Sequence, residues 1–253
     1  MRRPSDCPST RPPDTGTPGR VAFLLCGGLG TRLRTMTDRP KAVLEVAGWP
    51  FLRYQLEALR GARFDRMVFL TGHGAEEVER IFGPATPRRF FIRESAPLGT
   101  AGALAHARHL AGSTNWISNA DSFADVAPAE VLTAHSVDDA LILAVDVDDR
   151  ADYGGLRIDD RGRISAFDEK GIRGPGPING GIYVLPRPFL EELPVGQASL
   201  ERDVFPQWAR EGRLHAHRSR VFFRDIGTPE RFAAAQEEFV EIRRRLEADR
   251  ERR

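Results

Sequence analysis

The sequence predicts an α/β fold: a mixed, mostly parallel sheet with helices on both faces and an inserted β-hairpin. Three patterns in its 253 residues lead to that class. From residue 20 to Val147, short apolar runs alternate with stretches whose apolar residues recur at helical spacing. The first apolar run ends directly in a glycine-rich turn, Gly27-Gly-Leu-Gly-Thr-Arg32. Beyond Val147 the period shortens to two in Gly155-Leu-Arg-Ile-Asp-Asp-Arg-Gly-Arg-Ile-Ser-Ala-Phe167, which reads as a hairpin turning at Asp-Asp-Arg-Gly.

Residues 1–19 are rich in Pro, Thr, Ser and Arg and hold almost no large apolar side chain, so burial cannot offset their ordering entropy and a disordered tail is expected. Strands are predicted over 21–26, 66–71, 89–93, 116–119 and 140–147, each an apolar run of strand length. Between them helices are predicted over 50–62, 75–82, 100–111 and 127–135, bounded by Gly or Pro. After the hairpin come a strand at 181–185, a helix at 199–211 and strands at 214–217 and 221–224. Thr228-Pro229 reads as an N-cap with proline in the first helical position, so a long helix starts there. Residues 20–240 then form a single domain, and 241–253 a charged helix end expected to fray into solvent.

Composition removes several function classes. A net charge of +1, with arginines interspersed among acids, gives no general pull toward nucleic acid or an anionic membrane. Neither a disulfide framework nor a metal knuckle can be built from Cys7 and Cys26 alone. No apolar run has the length of a membrane span and residues 1–20 lack the apolar stretch of a secretory signal, so a cytoplasmic protein is expected. The six histidines form no ligand pattern; His106 and His109 decorate a helix face, and Phe205 and Trp208 belong to the core.

Of the 37 basic side chains only Lys41 and Lys170 are lysines. Lysine is a compact charge on a flexible stem and reaches one phosphate oxygen where the broad arginine fork does not fit. Lys41 lies just beyond the glycine turn, in Arg39-Pro-Lys-Ala42, and Lys170 closes Phe167-Asp-Glu-Lys170. In open α/β sheets ligands bind outside the carboxyl ends of the strands, where glycine turns present backbone N–H groups to phosphates. The turn here is neither of two familiar types. The Walker loop needs Gly-Lys-Ser/Thr at its end, and the dinucleotide loop needs glycine at the position of Leu33. Asp121 and Asp225 each follow an apolar run closely, which brings both near one sheet edge; either one alone reads as a helix cap or turn former.

These motifs resemble those of the sugar-1-phosphate nucleotidyltransferases over roughly residues 20–235: Gly27 to Arg32, Pro40-Lys41, Glu94-Ser-Ala-Pro-Leu-Gly-Thr-Ala-Gly102, Asn119-Ala-Asp121, Glu169-Lys170, Asn179-Gly-Gly181 and Asp225-Ile-Gly-Thr-Pro229. The resemblance implies the Rossmann-like nucleotide-diphospho-sugar transferase fold. It also implies attack of a sugar 1-phosphate on the α-phosphorus of a nucleoside triphosphate, with loss of pyrophosphate. A phosphate nucleophile is already ionised, so alignment and charge neutralisation suffice and no catalytic triad is expected. By resemblance Arg32 and the loop amides hold the leaving pyrophosphate, Lys41 the α-phosphate and Lys170 the sugar phosphate, while Asp121 and Asp225 hold Mg2+. The nucleotide would lie against Cys26, Gly27, Gly28, Gly30, Thr31, Glu94, Pro97, Leu98, Gly99 and Thr100, and the sugar against Tyr153, Gly154, Glu169 and Asn179.

Within the family the sequence is most similar to the D-glycero-α-D-manno-heptose 1-phosphate guanylyltransferases, on residues 97–102, 178–183, 199–205 and 225–230. That similarity favours GTP and the heptose. Mannose 1-phosphate guanylyltransferases and hexose 1-phosphate uridylyl- or thymidylyltransferases share most of these residues, and a catalytically silent nucleotide-sugar binder is the alternative of another class. A monomer or homodimer is expected. Three positions depart from the common pattern: Cys26 and Ala120 stand where alanine and glycine are usual, and Ala42 where proline often follows the lysine. A thiol at position 26 would make activity sensitive to alkylation.

Overall fold

Val21 to Leu24 are completely enclosed, as a central parallel strand covered on both faces must be. The computed structural model describes residues 19–28, 31–33, 36–136 and 138–252; the expected tail, apart from Gly19, and Gly30 lie outside the described residues. The chain runs β1 (Arg20–Leu25), β2 (Glu45–Val46), β3 (Trp49–Pro50), α1 (Phe51–Leu59), β4 (Arg66–Thr71), α2 (Ala75–Phe82), β5 (Arg89–Arg93) and α3 (Gly99–Ala107). It continues through β6 (Thr114–Asn119), β7 (Ser122–Ala124), α4 (Pro128–Ala134), β8 (Ala140–Val147), β9 (Leu156–Ile158), β10 (Ile164–Phe167) and β11 (Gly176–Pro186). The last elements are α5 (Arg187–Glu191), α6 (Phe205–Arg210), β12 (Leu214–Ser219), β13 (Phe223–Asp225) and α7 (Pro229–Glu251).

Seven strands form one sheet in the order β12-β8-β11-β6-β1-β4-β5. Only β11 runs antiparallel to its neighbours, β6 and β8. The other pairs are parallel. The predicted α/β class therefore holds, and the inserted hairpin is the separate β9–β10 pair. A second small ladder, β7 with β13, pairs Ser122 with Asp225 and Phe123 with Arg224, and the Ile226 N–H continues it by donating to the Asp121 carbonyl at 2.9 Å.

Three elements differ from their sequence expectation for local reasons. The helix expected over 199–211 is a π-helical turn, Leu200–Val204, followed by α6. Pro206 has no N–H to donate to the carbonyl four residues back, so an uninterrupted α-helical ladder cannot form. β11 is longer than expected and carries a register shift between Asn179 and Tyr183, where Gly181 adopts a left-handed φ of 70°. The expected fraying after residue 240 is overturned: α7 stays helical to Glu251, with Ile242 and Leu246 buried. These two apolar positions, with Phe239, make a stripe at helical spacing that the surrounding charges mask. Arg243 donates to the Ala47 carbonyl at 2.7 Å and Arg245 makes two 2.6 Å bonds to Asp125, so the charged face is itself tied down.

Phe239 is the hub that fixes α7 to the small ladder. Its ring lies 4.8 Å from Tyr54, 5.4 Å from Phe51, 5.5 Å from Phe123 and 5.6 Å from Phe222. Phe123 sits in β7 and Phe222 immediately precedes β13, so packing on one ring holds both strands of the ladder. Phe239→Ala should cost about 3–5 kcal/mol of unfolding free energy in urea titration; a loss below about 1 kcal/mol would mean that the cluster contributes little.

Candidate active site

The carboxyl ends of the central strands open into a cavity of about 690 Å3. Cys26, Gly27, Gly28, Lys41, Glu94, Pro97, Gly99, Thr100 and Asp121 all line it, so nine of the residues singled out in the sequence meet in one place. Thr31 begins a short 3-10 turn, Thr31–Leu33, just beyond the glycine loop. Leu98 is the residue before α3, and its N–H is given to Glu94 at 3.0 Å.

Glycine is required where the walls close in. A Cβ on Gly27, or on Gly72 opposite, would come within 2.6 Å of Glu94 Oε1, so the carboxylate in its present position lies in a slot flanked by two glycines. Gly99, at a φ of 72°, likewise has no room for a Cβ against the Ala198 carbonyl. Burial raises the Glu94 pKa above the ordinary carboxylate value, and the Leu98 N–H opposes that rise only in part. Oε1 has no hydrogen-bond partner among the described residues.

Lys41 follows Pro40 at the start of a 3-10 turn and donates to Asp121 Oδ2 at 2.8 Å. Asp225 accepts from the Gly227 N–H at 2.8 Å and from Arg231 Nη1 at 2.6 Å. A Cβ on Gly227 would lie 2.8 Å from Asp225 Oδ1 and 3.9 Å from Lys41 Nζ, which places the lysine ammonium beside the turn that holds Asp225. The two aspartates do come to one edge, but through the β7–β13 ladder rather than through neighbouring strands of the main sheet.

Arg32 and Lys170 are exposed and line a second cavity of about 410 Å3 together with Asp152, Thr228 and Arg231. Arg231 belongs to both neighbourhoods: it holds Asp225, pairs with Asp152 at 2.9 Å and lies 4.6 Å above the Tyr153 ring. Sequence reasoning missed this residue because a first-turn arginine after a Thr-Pro cap looks like surface. Tyr153 faces a further groove and packs edge-on against Phe223; burial, then the Asp225 carboxylate, raise its hydroxyl pKa. Gly154 accepts the Asn179 N–H through its carbonyl at 3.4 Å. Glu169 is exposed, and the buried acid of that turn is its neighbour Asp168, which takes Arg157 at 2.7 Å.

The donor set suits magnesium. Among the described residues no group of three or more His, Cys, Asp or Glu side chains could hold a metal ion. Two hard carboxylates are at hand, Asp121 is 39% exposed, and its Oδ1 has no partner among the described residues. Magnesium binds in this manner, through one or two carboxylates with phosphate oxygens and waters completing the shell.

Cys26 is 6% exposed, and burial, with the Asp121 carboxylate adding, pushes its thiol well above the ordinary cysteine value. The expected alkylation sensitivity is thus opposed by the structure. Peptide mapping after iodoacetamide treatment at pH 8 should find Cys26 unmodified in the folded protein and modified in urea; labelling at the rate of a free thiol would contradict this burial.

With this geometry in view, comparison with known proteins is direct. The nucleotidyl transferase family matches residues 21–241. The mannose-1-phosphate guanylyltransferase of Mycobacterium tuberculosis (strain ATCC 25618 / H37Rv) is 32% identical over 230 residues, covering 87% of this chain and 64% of its own length. The mannose-1-phosphate guanylyltransferase catalytic subunit beta of Drosophila melanogaster is 32% identical over 225 residues, covering 85% and 61%. This chain therefore spans less than two thirds of the length of these relatives. The crystal structure of HddC from Yersinia pseudotuberculosis complexed with GMP-PN superposes with a TM-score of 0.77 at 32% identity, covering 87% of this chain and 99% of that one. The chain belongs to the nucleotidyl transferase family, as its resemblance to the sugar-1-phosphate nucleotidyltransferases implied.

Proposed function

We propose that this protein couples GTP to a sugar 1-phosphate, with D-glycero-α-D-manno-heptose 1-phosphate favoured, giving the nucleoside diphosphate sugar and pyrophosphate. The Glu94 carboxylate carries the guanine reading. It lies in the large cavity between two glycines, with Oε1 unpartnered among the described residues. A carboxylate only accepts hydrogen bonds. Guanine alone among the common bases sets two neighbouring donors, its ring N–H and exocyclic amine, on the edge such a group would meet. Relatives named guanylyltransferases and the HddC complex with GMP-PN agree with that choice of base.

In this reading the sugar phosphate needs no general base, and the chain aligns two anions while a third departs. Lys41 would hold the α-phosphate, Arg32 the pyrophosphate and Lys170 the sugar phosphate. Asp121 and Asp225 would hold Mg2+, which when bound supplies positive charge to the reacting phosphates. Tyr153, Gly154, Glu169 and Asn179 would line the sugar side. The heptose rests on the motifs at 97–102, 178–183, 199–205 and 225–230. Mannose 1-phosphate is the second reading, favoured by the names of the relatives at 32% identity. Among the described residues no helix is long and apolar enough to cross a membrane. A cytoplasmic monomer or homodimer remains part of the proposal.

Pyrophosphate release should be measured with ATP, GTP, CTP, UTP and dTTP against heptose, mannose and glucose 1-phosphates. GTP with the heptose should give the highest kcat/KM, and Glu94→Gln should reduce the preference for GTP about ten- to hundredfold. A best rate with another base, unchanged by Glu94→Gln, would contradict the guanine assignment.

A further inference from the structure

Glu201, in the π-helical turn, has no assigned role in the reaction as described above. Its carboxylate gathers three hydroxyl groups. Tyr183 donates to Oε1 at 2.9 Å, and Thr100 and Ser199 donate to Oε2 at 2.9 and 2.8 Å. No lysine or arginine pairs with it among the described residues. A carboxylate can only accept, so each hydroxyl must spend its single hydrogen on Glu201.

The polarity of the neighbouring groups then follows. With its hydrogen committed, the Tyr183 oxygen can only accept, and Asn179 Nδ2 donates to it at 3.2 Å. Asn179 Oδ1 independently accepts the Gly181 N–H at 2.9 Å, so two contacts agree on the orientation of the amide. Asn119, at the end of β6, lines the large cavity. One N–H of the Asn179 amide stays uncommitted among the described residues. At the other end Thr100, which lines the cavity, accepts the Leu200 N–H at 2.8 Å and keeps only an acceptor lone pair. Tyr183 itself is fully buried and packs edge-on against Phe205 at 4.9 Å, so its hydroxyl is held rigidly.

We infer that Glu201 is a positioning residue that couples the two ends of the substrate site, fixing Thr100 as an acceptor on the nucleotide side and Asn179 as a donor on the sugar side. The inference rests on the proposed reading of Asn179 as a sugar contact. A π-helical turn at this point fits such a role, because these irregularities concentrate at functional sites and here one sets the carboxylate facing both hydroxyl-bearing segments.

Tyr183→Phe keeps the ring and removes only the hydroxyl. It should raise KM for the sugar 1-phosphate about tenfold while moving KM for GTP less than twofold. In a cycle with Asn179→Ala the double variant should be no worse than Asn179→Ala alone, because the hydroxyl acts through that amide. Thr100→Val should raise KM for GTP, and Thr100→Ser, which restores the hydroxyl, should return it. Calorimetric titration of GTP and of the sugar 1-phosphate reads the same split without turnover. Equal losses for both substrates in Tyr183→Phe, or additive effects in the cycle, would overturn the coupling. Absence of turnover in the unsubstituted protein would instead count against the proposed activity, with the binding split still deciding on Glu201. Should Glu201→Gln fail to fold, Tyr183→Phe and Thr100→Val carry the test.

Discussion

The antiparallel ladder between Ser122–Ala124 and Phe223–Asp225 is the constraint on which the rest of the site depends. It joins segments about a hundred residues apart in the chain and sets Asp121 beside Asp225. Two neighbouring carboxylates would repel. Here each has its own cation: Lys41 on Asp121 and Arg231 on Asp225. The Lys41–Asp121 pair is 20% and 39% exposed, and a pair so open to water contributes at most about 1 kcal/mol to stability. Its place in the molecule is better explained by position than by stability.

What keeps the ladder in place is apolar. Phe123 and Phe222 pack on Phe239 of α7, and Ile226, next to Asp225, is fully buried in the same cluster. The long helix therefore serves the site twice. Its first turn brings Arg231 to Asp225, and its third and later turns supply the ring and the Ile242 and Leu246 side chains that clamp the ladder. The polar network at Glu201 has a different character. It is short, directional and free of cations, and it ties the start of α3 to the bulge in β11.

Much of this was legible in the sequence, for identifiable reasons. The alternating apolar runs gave the strands at 66–71, 89–93 and 140–147 to the residue, because each is a short apolar run bounded by turn residues; the first and last are largely buried, and 89–93 is the half-buried strand at the sheet edge. The glycine loop, Glu94 and Asp121 follow the carboxyl ends of β1, β5 and β6, and a parallel sheet brings such ends to one side without further information; Lys41 reaches the same side from the short turn at Lys41–Val43. Residues depending on the third dimension were hidden. Arg231 and Glu201 sit in stretches that read as helix, and nothing in a linear pattern tells a solvated arginine from one bridging Asp225 and Asp152. The apolar stripe of α7 is diluted by charge, so its packing escaped notice. Lys170 was singled out by its rarity, but with Arg32 it lines the second cavity and not the large one.

If Asp121 and Asp225 together hold Mg2+ as proposed, they act as a single unit in pyrophosphate release. Steady-state release with GTP and the preferred sugar 1-phosphate should be compared for Asp121→Asn, Asp225→Asn and the double variant. Each single substitution is predicted to lower kcat by about two to three orders of magnitude, and the double variant should fall little further, as expected of groups that work together. Near-normal turnover in either single variant, or fully multiplicative losses in the double, would mean that the two aspartates do not share a metal.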